Sequence, residues 1–204
     1  MKKPFRIIFM GTPEFAVPSL KRLFSDGYNV VCSVTQPDKK RGRGKKVTFS
    51  PVKEKSIELG INVYQPERIK AKESVEYIRE LNPDLLVTCA YGQILPVKLL
   101  EIPEFGCINV HASLLPHYRG AAPIQRCIMN GDGKTGITTM MTDAGMDTGD
   151  ILLKKEINIT CDMTAGELYD KLMLLGADTI SETLEMLSSG TLERIRQNEA
   201  DATY

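Results

Sequence analysis

Arg6-Ile7-Ile8-Phe9-Met10-Gly11-Thr12-Pro13-Glu14-Phe15-Ala16-Val17-Pro18-Ser19-Leu20 is the stretch whose reading decides the fold. Arg6–Met10 is a short apolar run of the length and composition of a buried strand. Gly11-Thr12-Pro13-Glu14 turns the chain, with Pro13 tolerated at a first helical turn, and Phe15–Phe24 continues with the spacing of an amphipathic helix. A strand that passes through a tight turn into a helix is the opening unit of an α/β sheet.

The same alternation continues along the chain. Asn29–Thr35 is apolar and valine-rich, Val52–Leu59 has helical spacing, Ile61–Tyr64 reads as a short strand, Ser74–Leu81 as a helix and Asp84–Ala90 as an apolar strand. Strands that alternate with helices predict a largely parallel α/β sheet. Further on, Cys107–Val110 adds a strand, Pro123–Met129 a helix, and Ile137–Met141 a strand whose threonines predict one polar face. Ile151–Ile157 reads as a strand, and Ala165–Leu187 as a long helix stopped near Gly190. Thr191–Tyr204 turns polar and lacks an apolar period, as expected of a linker or frayed tail. The expected organisation is therefore one domain over residues 1–189, with 190–204 beginning a linker.

A chain of 204 residues fits one core. Acidic and basic residues balance at 26 each, so any charged partner must be sought in a local cluster, and one exists at Lys39–Lys46. The five cysteines are odd in number and widely spaced, mostly within apolar runs, which argues for reduced thiols and against a disulfide framework or zinc site. Ile7–Met10 is too short for a signal-peptide core or a membrane span, so a soluble, cytoplasmic protein with no membrane association is expected.

Candidate chemistry concentrates between Cys107 and Asp150. An apolar strand carries Asn109-Val110-His111; Ser113-Leu114-Leu115-Pro116 follows, then Arg119-Gly120, and later Met146-Asp147-Thr148-Gly149-Asp150. Strand side chains alternate, so Asn109 and His111 project to one face at a strand end, where α/β sheets place their sites. Asn109 could equally satisfy a turn and His111 could be a hydrogen-bonded core histidine. Asp147 lies in a loop of glycines and carboxylates. If it reaches His111, the pair becomes tunable between base and acid near neutral pH; otherwise it bonds its own backbone.

Other motifs fail. Gly133-Lys134-Thr135 ends like a phosphate loop, but Ile128 stands where the leading glycine is needed and a strand follows. Gly11-Thr12-Pro13-Glu14 occupies the dinucleotide-fingerprint position without the second and third glycines. No G-x-S-x-G elbow occurs, although a cysteine–histidine pair formed in space stays open.

The ordered set Phe9-Met10-Gly11-Thr12-Pro13-Glu14-Phe15-Ala16, Gln36-Pro37-Asp38, Gly42-Arg43-Gly44-Lys45-Lys46, Ser50-Pro51-Val52-Lys53, Ala90-Tyr91-Gly92, Ile94-Leu95-Pro96 and Asn109 through Gln125 resembles the folate-dependent formyltransferases, over almost the whole chain. Within that family it is most similar to the branch acting on methionyl-tRNA. The resemblance implies a Rossmann-like α/β catalytic domain of the formyltransferase fold, a mostly parallel sheet with helices on both faces, in which Asn109, His111 and Asp147 match three catalytic positions and Ser113, Leu114, Leu115 and Pro116 match a tetrahydrofolate-contacting segment. It implies that Tyr91–Pro96 and Asp143–Asp147 line a pterin pocket. It implies 10-formyltetrahydrofolate as co-substrate, no metal, initiator methionyl-tRNA as acceptor for translation initiation, and no stable protein partner. The basic run matches an insertion that approaches the tRNA acceptor end, with Arg43 as the contact; the plain alternative is a solvated loop. The resemblance also implies a further C-terminal barrel domain in that branch, with residues 190–204 expected to begin the linker to it. The alternatives are a formyltransferase for a small amine, such as an amino sugar nucleotide or glycinamide ribonucleotide, or a catalytically idle folate- or tRNA-binding module.

Overall fold

The computed structural model describes residues 5–41 and 46–204. It divides into two compact units, one running to Cys107 and one from Ile108 to Tyr204.

The first unit begins with β1 (Arg6–Gly11), a 3-10 turn at Glu14–Ala16, α1 (Val17–Ser25) and β2 (Asn29–Val34). There follow β3 (Lys39–Arg41), β4 (Lys46–Thr48), α2 (Pro51–Glu58), β5 (Val63–Tyr64), α3 (Lys72–Glu80), β6 (Leu85–Cys89) and α4 (Val97–Leu100). β1 lies between β2 and β6, and β2 carries β5 on its other side, every pairing parallel. Ile7, Ile8, Phe9 and Met10 are fully buried and sit in register with the equally buried β6. Burial on both faces of a parallel strand is why these segments read as unbroken apolar runs. Position 11, the last of β1, takes glycine because a Cβ there would come within 2.8 Å of the Ala16 Cβ and 3.0 Å of the Cys89 carbonyl oxygen. The expected helix from Phe15 is divided into the 3-10 turn and α1, with Pro18 in the first helical turn. Ser50 caps α2 by accepting from the Lys53 amide. β3 and β4 form an antiparallel pair within the basic run, which the sequence reading left without a strand; Arg43 lies outside the described residues.

The second unit holds β7 (Cys107–His111) from its second residue on, then α5 (Pro123–Met129), β8 (Lys134–Met141), β9 (Ile151–Asn158) and α6 (Ala165–Ser189), with a 3-10 turn at Glu199–Asp201. β8 pairs antiparallel with both β7 and β9. α6 starts at a capping box in which Thr164 and Glu167 satisfy each other's backbone amides, and it ends at Gly190 in the left-handed conformation, as the sequence predicts. Leu168, Leu172, Ile180 and Leu184 are its fully buried stripe.

Two expectations need correction here. The threonines of β8 do not line one polar face: Thr138 and Thr139 are consecutive, so the pleat sends them to opposite faces, and both are fully buried. Thr138 Oγ1 donates to the Ser113 carbonyl (2.7 Å) and accepts from the Leu115 amide (3.1 Å), while Thr139 bonds Thr183 of α6 (2.8 Å). Nor does Thr191–Tyr204 fray. Ile195 and Ile151 exchange backbone hydrogen bonds of 2.9 and 2.8 Å, the Arg119 amide donates to the Thr203 carbonyl (2.8 Å), and Gln197 is buried. The segment is held by polar pairings in place of an apolar stripe, and hydrophobic periodicity does not register those. No helix among the described residues is long and apolar enough to cross a membrane.

Candidate active site

β7 delivers His111 as its last residue and Asn109 two positions earlier, so the pleat sends both to one face. Both meet Asp147. Asn109 Nδ2 donates to Asp147 Oδ1 at 3.4 Å, and His111 Nδ1 stands 3.6 Å from Asp147 Oδ2. The three residues separated in sequence are thus brought together around one carboxylate, and the plain alternative of a loop aspartate bonding only its own backbone does not hold.

The imidazole is oriented from behind. His111 Nε2 lies 2.8 Å from the Tyr118 carbonyl oxygen. A carbonyl only accepts, so Nε2 carries a hydrogen, and Nδ1 is the nitrogen turned toward Asp147. Tyr118 is itself pinned: its hydroxyl donates to Asp132 (2.6 Å) and accepts from Asn130 Nδ2 (2.8 Å), and partial burial raises its pKa.

The carboxylate is gripped as well. Asp147 Oδ2 accepts the Gly120 amide at 2.8 Å. Asp147 and Tyr118 both hold left-handed backbone, at φ 54° and 56°. Such conformations in residues other than glycine are costly and persist only where surroundings impose them, typically at functional sites. Around Asp147 the loop is self-tied, with the Gly145 amide (3.0 Å) and the Thr148 hydroxyl (2.7 Å) both donating to Asp143. Gly149 must be glycine, because a Cβ there would fall 1.9 Å from the Met141 carbonyl oxygen.

Of the segment Ser113–Pro116, two side chains turn inward. Ser113 is fully buried and donates to the His117 carbonyl (2.6 Å), and Leu115 packs with Met140 and Ile151. Leu114 and Pro116 remain partly exposed, and the Leu115–Pro116 peptide is cis. In the first unit, Tyr91 is buried with its hydroxyl lacking a hydrogen-bond partner, while its carbonyl accepts from Thr12 Oγ1 (2.8 Å) and Gln36 Nε2 (3.3 Å).

Sequence reasoning gave no role to the group that buttresses this site. The Arg119 side chain has no solvent exposure. Its Nη1 and Nη2 donate to the two carboxylate oxygens of Glu199 at 2.8 Å each, and its Nε donates to Gln197 Oε1 at 3.0 Å. Glu199 holds the guanidinium firmly charged, and Arg119 in turn holds the Glu199 carboxyl below its ordinary pKa. Gln197 Nε2 then donates to the carbonyls of Asp147 and Gly149, both at 2.8 Å. Arg119-Gly120 was visible as a motif, but nothing in the polar tail marked Gln197 or Glu199 as its partners.

A profile of the formyl transferase family matches residues 5–184. The chain belongs to the formyl transferase family. It is 61% identical over 199 residues to the methionyl-tRNA formyltransferase of Acetivibrio thermocellus, covering 98% of this chain and 64% of that one. It is 54% identical to the methionyl-tRNA formyltransferase of Clostridioides difficile, with the same coverage of each. The chain therefore spans about 64% of the length of the curated relatives it matches. Among solved formyl transferases, glycinamide ribonucleotide transformylase 1 from Symbiobacterium toebii shares the fold at a TM-score of 0.79 and 16% identity, covering 97% of this chain and 96% of that one. The N-formyltransferase of Helicobacter canadensis, solved with folinic acid and dTDP-3-aminofucose, has a TM-score of 0.73 and 21% identity, covering 98% and 70%. The expected mostly parallel α/β sheet of this family is thereby borne out.

Proposed function

We propose that this chain is the formyl-transferring portion of a methionyl-tRNA formyltransferase, moving the formyl group of 10-formyltetrahydrofolate onto the amino group of methionine carried by initiator tRNA. The observation that carries the reading is the meeting of Asn109, His111 and Asp147 on one carboxylate, in a chain 61% identical over nearly its whole length to a protein of that name.

The amine nitrogen attacks the formyl carbon, giving a tetrahedral species with a negative oxygen and a positive nitrogen. Asn109 Nδ2 and protonated His111 Nδ1 are the donors for that oxygen, and a preorganised donor of this kind is worth roughly 3–4 kcal/mol when lost. Asp147 balances the imidazolium and takes the proton from the attacking nitrogen, directly or through water. Collapse breaks the bond to folate N10, which leaves as it regains a proton. The same reading assigns the folate contact to Ser113, Leu114, Leu115 and Pro116, whose outward part is Leu114 and Pro116, and the tRNA contact to Arg43.

The test is release of tetrahydrofolate from 10-formyltetrahydrofolate with charged initiator tRNA, an amino sugar nucleotide and glycinamide ribonucleotide offered separately. Turnover with the charged tRNA alone, and a raised KM for that tRNA in Arg43→Ala, is the expected result. Turnover confined to a small amine, or none with any acceptor, overturns it.

A further inference from the structure

Tyr118, Arg119 and Gly120 are three consecutive residues that each serve the site differently. The Tyr118 carbonyl takes His111 Nε2, and the Gly120 amide holds the Asp147 carboxylate. Between them, Arg119 sends its side chain into the interior, to Gln197 and Glu199. The main chain of the triplet is tied to the C-terminal segment: the Tyr118 amide donates to Thr203 Oγ1 (2.8 Å) and the Arg119 amide to the Thr203 carbonyl (2.8 Å).

Gln197 closes this arrangement on the other side of Asp147. Its amide group has one acceptor and two N–H donors, and all are used. The oxygen faces the Arg119 Nε–H, so the nitrogen must face the carbonyls of Asp147 and Gly149. A flipped amide would set N–H against guanidinium N–H and oxygen against two carbonyl oxygens, so only one orientation satisfies the group. One side chain thereby ties the carbonyls at either end of a three-residue turn that begins at Asp147, itself in left-handed backbone.

We infer, on the formyl-transfer reading above, that Gln197 is a positioning residue for the reaction: with Arg119 and Glu199 as its anchor, it fixes the main chain of Asp147 so that the carboxylate stays against His111 and Asn109. Gln197 touches neither substrate nor reacting atoms. It acts through Asp147, and displacement of a catalytic group by about 1 Å is enough to slow a reaction on the order of 100-fold.

The variant that separates positioning from packing is Gln197→Met in the full chain, since methionine has similar length and fills the buried space without hydrogen bonds. Three quantities are measured: kcat and KM for 10-formyltetrahydrofolate with charged initiator tRNA, the melting temperature, and the exchange rate of the Gly120 amide hydrogen. The expected result is a kcat lowered roughly 10- to 100-fold with little change in folate KM, and faster exchange at Gly120 as its carboxylate acceptor loosens. If Gln197→Met does not fold, Gln197→Asn, which keeps the amide but falls one methylene short, is expected to show the same split. A parent-like kcat in either variant overturns the inference, whether or not the melting temperature falls, because the residue then only fastens the tail. Absence of turnover in the parent chain sinks the formyl-transfer reading instead. In that event Gly120 exchange still decides the mechanical claim: faster exchange in the variant supports it and unchanged exchange refutes it.

Discussion

Asp147→Asn is the sharpest perturbation available at the site, because the replacement keeps almost everything except the charge. Asparagine tolerates the left-handed backbone that Asp147 adopts at φ 54°, so no backbone strain is added. Its oxygen can still accept the Gly120 amide. Its nitrogen must then stand where Oδ1 was, facing the Asn109 amide nitrogen at 3.4 Å, two donors in opposition. Asn109 is expected to relieve this by turning its own oxygen inward, which withdraws a donor from the transition state. The larger loss is electrostatic. At 3.6 Å, two unit charges attract by about 4.6 kcal/mol at an effective dielectric of ~20 and about 1.2 kcal/mol at ~80. The side chains of His111 and Asp147 are only 8% and 18% exposed, which puts the pair nearer the first figure. At about 1.36 kcal/mol per decade, kcat for formyl transfer should fall by roughly 10²- to 10³-fold. KM for 10-formyltetrahydrofolate should hardly move and the melting temperature should stay close to that of the parent. Single-turnover release of tetrahydrofolate, paired with thermal denaturation, measures both. A kcat within about fivefold of the parent would refute the pairing of His111 and Asp147 as the working unit, since a lost ion pair of this geometry cannot be that cheap. A collapse of the melting temperature would instead make Asp147 a structural residue.

Two further outcomes follow from the burial and charge of other groups. Cys32 and Cys89 are buried and their thiols are pushed up to about 12 by that burial, whereas Cys161 is exposed; iodoacetamide at a pH of about 8 should therefore modify Cys161 and leave those two intact, with Cys161→Ser removing most labelling of the native protein. Rapid native-state labelling of Cys32 or Cys89 would contradict the packing. Arg119 holds the Glu199 carboxyl below its ordinary value, so this pair's contribution to stability is complete above about pH 4.3, the ordinary glutamate value, and is lost as pH falls through the lower folded-state value. Glu199→Gln should accordingly lower the melting temperature near neutral pH and converge with the parent in acid; a difference that widened on acidification would have the wrong sign.

What could be read from the sequence, and what could not, divides along a physical line. β1 and β6 were legible because a parallel strand buried on both faces must be apolar throughout, and Ile7–Met10 and Leu85–Cys89 carry that demand in their composition. Asn109 and His111 were legible because a period of two at a strand end fixes a common face, and Asp147 because glycines and carboxylates crowd one loop. The two corrected expectations both concern polar groups satisfied by other polar groups. Thr138 and Thr139 read as polar, but polarity alone does not tell whether the partner is water, a Ser113 carbonyl or a Thr183 hydroxyl. Thr191–Tyr204 looked like a tail for the same reason. Its task is to supply acceptors to a guanidinium and donors to two carbonyls, and such a task selects glutamine, glutamate and threonine at positions set by distant partners, without a repeat. Hydrophobic pattern records what must leave water; it does not record what a buried Arg119 must then find. Since His111 and Asp147 are both held through residues 118–120, and those in turn through residues 197–203, the polar end of the chain is as much a part of the site's geometry as the strand that carries Asn109 and His111.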